Sequence, residues 1–112
     1  MSGRAKGGPE VRHDASPAQL KSATRPWVDA FADEMEKRLA ANRHKGDREG
    51  WVKLRPPVLM ELLTKEHDEL WAEIQADPHY NRARVLHECA DVANFAMMIA
   101  DVVGGLQPKV KP

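Results

Sequence analysis

The chain has 112 residues, 42% of them hydrophobic, and a formal net charge of zero. That length allows one small domain, and the charge balance argues against nucleic-acid binding, which draws its affinity from a cationic surface. The single cysteine, Cys89, excludes an internal disulfide and fits a reducing, cytoplasmic setting, and no segment has the length and apolarity of a membrane span or a signal peptide.

Residues 1–17 are rich in Gly, Ser, Pro and charge without periodicity, and read as a flexible arm. The Glu10-x-x-His13 spacing within them lies outside any helical pattern and reads as chance. A helical domain is predicted over 18–105, followed by a Pro- and Lys-rich tail over 106–112, whose Lys109 and Lys111 read as part of a frayed end. The first long helix is predicted from Arg25 to Asn42, with Thr24 as N-cap and Pro26 in the first turn, where its missing N–H is harmless. Trp27, Phe31, Met35 and Leu39 recur at i, i+4 and mark its core face; Lys37 and Arg38 suit the dipole at its C-terminal end.

Residues 42–55 carry five cations against two acids, a net +3, and form a basic connection in which Gly46 and Gly50 permit tight turns. Lys45 and Arg48 are candidates for holding phosphate oxygens. Trp51 reads either as a stacking surface for a base or as an apolar plug over the bundle end. Residues 57–77 hold six acids against Lys65, a net −5. An acidic cage beside a basic loop is what a polyphosphate–metal substrate needs, whereas two solvated surfaces are the plain alternative.

The second helix is predicted from Pro57 to Ala76 and the third from Asn81 to Val103, with the breaker Asp77-Pro78-His79 folding them into an antiparallel hairpin. Glu66 and Glu69 share one face of the second helix; Glu88 and Asp91 share one face of the third. A turn about Pro78–His79 sets Glu69 against Glu88 and Glu66 against Asp91, with Leu62 against Phe95, Leu59 against Met98, and Glu73 paired to Arg84. Four carboxylates thus converge in an apolar seam. Several like charges there are costly unless a cation neutralises them, and hard oxygen donors suit Mg²⁺, with Mn²⁺ as a substitute.

Glu61 and Asp68 fall on the outer face, and Trp71 is turned away from Glu66, toward another helix. Asn94, one turn beyond Asp91, reads equally as a donor to a bound ligand or as a buried amide bonded to a neighbouring carboxylate. Cys89 points away from the seam. The third helix is apolar nearly all round and ends at Gly104-Gly105. One other long helix cannot cover it, so a homodimer, with a tetramer as a further step, is predicted.

The pair ExxE and ExxD on antiparallel helices, with the run HKGDREGW and the helix ECADVANFAMMIAD, resembles the MazG-like all-α nucleoside triphosphate pyrophosphohydrolases, over roughly 31–104. The resemblance implies an antiparallel helical bundle completed by homodimerisation, with Mg²⁺ held by Glu66, Glu69, Glu88 and Asp91. It also implies hydrolysis of the α–β phosphoanhydride of a nucleoside triphosphate to a monophosphate and pyrophosphate, Glu66 or Glu69 orienting the attacking water. Lys45, Trp51 and Asn94 are then the candidate substrate contacts. A di-iron bundle is disfavoured because Glu-x-x-His pairs are missing from the hairpin; His67 and His87 are each offset by one residue. The alternative from another class is a non-catalytic helical module that senses nucleotide or metal.

Overall fold

A computed structural model describes residues 24–108; the arm, Glu10, His13, Lys109 and Lys111 lie outside the described residues. These residues form four α-helices: α1 (Pro26–Ala41), α2 (Arg48–Trp51), α3 (Pro56–Ile74) and α4 (Arg82–Val102). No strand occurs among the described residues, and none of their helices is long and apolar enough to cross a membrane.

Local chemistry sets the ends. Proline opens both α1 and α3, where no intrahelical N–H is required. Arg25 rather than Thr24 occupies the N-cap of α1 and supplies no side-chain cap. Asn42 closes α1 with two bonds to the Arg38 carbonyl, one from its backbone N–H and one from its side-chain amide. Asn81 is the N-cap of α4 rather than its first residue, accepting from the Arg84 N–H at 3.1 Å. At the other end Gly104, at φ +82°, donates to the Asp101 carbonyl while Gly105 donates to that of Ala100. These two bonds make a Schellman turn, which accounts for the stop at this Gly-Gly pair.

The basic connection is more ordered than the loop predicted for it. A 3₁₀ turn (Arg43–Lys45) leads through Gly46, at φ +104°, into α2, and Gly50 lies inside that helix. A Cβ on Gly46 would stand 3.5 Å from the Gly50 Cα, so the two glycines let the backbone fold closely on itself beside the cavity described below.

Helix α4 is the centre, packing on α3 along one side and on α1 along another. Both pairings are antiparallel. Glu73 on α3 meets Arg84 on α4 at 3.7 Å, the predicted partner at the loop end of the hairpin. Between α1 and α4 there are two rungs one turn apart: the Asn94 amide donates to the Met35 carbonyl at 3.1 Å, and Arg38 is paired with Asp91. The deepest points are Leu59 on α3 and Ala90 on α4, both fully buried, together with Asn94 at 4% exposure.

Two aromatic placements depart from the sequence reading. Trp27 is 84% exposed rather than core, because the rungs of α1 on α4 bring it level with the last turn of α4, where that helix runs out. Trp71 is 62% exposed instead of packed on another helix; α4 covers the opposite side of α3. Glu61 and Asp68 are exposed, as expected of the outer face, and Cys89 is half-buried.

Candidate functional site

The hairpin register brings Glu66 and Glu69 on α3 next to Glu88 on α4. One carboxylate oxygen from each lies within 4.8 Å of the others. Negative groups this close raise the proton affinity of the two part-buried ones, Glu66 and Glu88. Burial is the larger cause at Glu66, followed by the charges of Glu69, Asp91 and Glu88, and together they push its carboxyl from 4.5 up to about 7. The Glu88 carboxyl is likewise raised, by burial first and then by Glu69, Asp91 and Glu73, with Arg38 working against them. Glu88 Oε1 is buried and has no hydrogen-bond partner.

Asp91, the fourth acid of the motif, stands near enough to bear on both Glu66 and Glu88, yet it is not one of the three that come within 4.8 Å of one another. Arg38 of α1 grips it with a fork: Nε donates to Oδ1 at 3.0 Å and Nη2 to Oδ2 at 3.2 Å. The predicted quartet therefore divides into a cluster of three and one carboxylate paired to a guanidinium. Sequence reasoning gave Arg38 only a role in the helix dipole.

A cavity of about 630 Å³ opens over these groups, between α1, the basic connection, α3 and α4. Its acidic wall is Glu66, Glu69 and Asp91, its cationic wall Arg38, Lys45 and Lys65, and Leu59, Leu62, Phe95 and Met98 supply an apolar part. Lys45, Trp51 and Asn94, which the sequence singled out, all line it. The Asn94 amide bonds a backbone carbonyl, not a carboxylate, and its Oδ1 is buried without a partner.

Trp51 is held by its edge. Its Nε1 donates to Asp101 Oδ2 at 2.9 Å, and the same carboxylate accepts a fork from Arg48 at 2.8 and 3.1 Å. Hydrogen bonds from Arg48 and then Trp51 hold the Asp101 carboxyl below its usual range. Asp101 thus ties α2 to the end of α4 and fixes the indole beside the cavity. A signal for it was available: Asp101 is seven residues beyond Asn94, on the same helix face, and an acid on such a face needs a cation opposite. Arg48, a candidate for holding phosphate oxygens alongside Lys45, is paired with Asp101 here.

No protein-family model, curated protein or solved structure matches this chain.

Proposed function

We propose that the protein is a Mg²⁺-dependent nucleotide pyrophosphohydrolase, cleaving the α–β phosphoanhydride of a nucleoside triphosphate to a monophosphate and pyrophosphate. The reading is carried by one observation: three carboxylates from two helices converge within 4.8 Å beside a cavity that also holds cationic and aromatic groups. Hard oxygen donors, one of them a buried orphan at Glu88, suit a small divalent cation. Glu66, Glu69 and Glu88 would hold it, with Asp91 one turn from Glu88 as the further donor the sequence motif supplies.

The cation when bound supplies Lewis acidity, neutralising phosphate charge and polarising the anhydride. The remaining work falls to the chain. Glu66 or Glu69 orients and deprotonates the attacking water. Lys45 and Lys65, on the cavity wall, take up charge that develops on the departing pyrophosphate. Trp51, pinned by Asp101, offers a flat face on which a base can stack.

We also propose a homodimer. Trp27, Val28, Met60, Trp71 and Val103 are each more than half exposed, while among the described residues only Leu59 and Ala90 are apolar and buried. A second copy covering these side chains would supply the core that a single chain lacks.

The direct test is pyrophosphate release from a panel of canonical and modified nucleoside triphosphates, with Mg²⁺ and with EDTA. EDTA-sensitive release with a monophosphate product is the expected result, and Glu69→Gln removes it. Binding of Mg²⁺–nucleotide without release from any member of the panel would make the protein a sensor instead.

A further inference from the structure

Arg38 is placed unusually for a residue at the end of a surface helix. Its side chain is 27% exposed, that of Asp91 16%, and both line the same cavity as Glu66 and Glu69 of the three-carboxylate cluster. The Asn94–Met35 rung, one turn away, holds the α1 backbone against α4 and so sets the reach of the guanidinium. Asn94 is 4% exposed, lines that cavity, and leaves its Oδ1 without a partner. Hydrogen bonding to Asp91 is the main cause of the raised pKa of Arg38, with the charges of Glu88 and Glu66 adding to it. Arg38 is therefore a counter-ion to Asp91, Glu88 and Glu66, and its fork is engaged by Asp91 alone.

A carboxylate and a phosphate present the same target to a guanidinium: two oxygens at the spacing of two parallel N–H donors. If Asp91 acquires another cationic partner, the fork of Arg38 is left beside the cavity with no anion of the protein to match it. We propose that Arg38 couples cation loading to phosphate binding. It pairs with Asp91 in the ligand-free chain and passes to phosphate oxygens of the ligand once Asp91 turns to a divalent cation held by Glu66, Glu69 and Glu88. This rests on the reading of those carboxylates as a cation site. The coupling is reciprocal: phosphate on Arg38 frees Asp91, and so tightens the cation.

The exchange gives Arg38 opposite effects on two ligands. It competes with the cation for Asp91 and it attracts the anion. Arg38→Lys keeps the charge but loses the fork, so it separates the exchange from simple electrostatics. The experiment titrates full-length wild type, R38Q, R38K and D91N with Mn²⁺ alone, counting free Mn²⁺ by electron paramagnetic resonance. It then titrates each Mn²⁺-loaded protein with inorganic tripolyphosphate by calorimetry. R38Q and R38K are expected to bind Mn²⁺ more tightly than wild type by about 5- to 100-fold, the range of ordinary coupling between sites, and tripolyphosphate more weakly by a similar factor. D91N is expected to bind Mn²⁺ more weakly.

A merely structural Arg38 moves both affinities the same way. Mn²⁺ binding by R38K no tighter than wild type, or tripolyphosphate binding unchanged in both Arg38 variants, overturns the proposal while leaving the cation site in place. Wild type and all variants failing to bind Mn²⁺ at millimolar concentration overturns the cation site and this coupling together. Circular dichroism melts check each variant, and R38K carries the test if R38Q does not fold.

Discussion

Replacing Glu66 by Gln in the metal-free protein tests whether burial and the neighbouring carboxylates together oppose its ionisation. The Glu66 carboxyl is pushed up to about 7 from 4.5, so the folded chain resists ionising it. A rise of that size corresponds to roughly 3 kcal/mol, and the partial exposure of Glu66 screens it to ~1–2 kcal/mol. Because the folded value lies above the unfolded one, this stability is fully present below pH 4.5 and is lost as pH rises through about 7. Glutamine keeps the shape without the charge. In EDTA at pH 8, Glu66→Gln should therefore be the more stable protein, melting higher by roughly 4–16 °C at ~4–8 °C per kcal/mol for a small domain.

Two controls sharpen the result. At pH 4.5, where the wild-type carboxyl is protonated in the folded chain, the two proteins should melt together. With Mg²⁺ at 100 times its dissociation constant, wild type should gain about 2.7 kcal/mol, and Glu66→Gln much less. Differential scanning calorimetry at the two pH values, with EDTA and with Mg²⁺, reads all of these. A Glu66→Gln protein no more stable than wild type at pH 8 in EDTA would refute the placing of Glu66 in a part-buried setting among Glu69, Asp91 and Glu88.

Other consequences are as direct. Asp101→Asn leaves one oxygen where two are used and sets an NH₂ against the Arg48 guanidinium. The Trp51 indole should loosen, seen as a red-shifted emission and a lower melting temperature; unchanged near-ultraviolet dichroism would show that Asp101 does not hold it. Gly104→Ala meets nothing within 4 Å, so its cost is the backbone alone at φ +82°, about 1–2 kcal/mol in urea denaturation. A loss below ~0.5 kcal/mol, within the range of ordinary surface changes, would mean the Schellman turn is dispensable. Sedimentation equilibrium at micromolar concentration should give a dimer mass, and Trp71→Glu should weaken association at least about tenfold. A concentration-independent monomer mass for wild type would remove the dimer.

The pairing of α3 with α4 was legible because its determinants are local and periodic. ExxE and ExxD sit on helical faces, a Pro-containing breaker separates them, and reflection about that breaker sets Glu73 against Arg84, as observed. Glu66, Glu69 and Glu88 followed from the same reflection. Helix ends were legible to within a residue or two, since proline, asparagine and the Gly104–Gly105 pair act on the backbone nearest them.

How α1 lies on α4 was not legible, because no short connection fixes that register. It depends on a bond from Asn94 to a backbone carbonyl at Met35, and a carbonyl leaves no mark in a sequence. Arg38 meets Asp91 only through that register, which is why an arginine suited to a helix dipole becomes the partner of a site carboxylate. The same holds for Arg48 and Trp51, which meet Asp101 across some fifty residues of chain. Periodicity along a helix determines which acids share a face; only tertiary packing determines which cations they find opposite, because an ion pair of this kind is a property of two surfaces brought together.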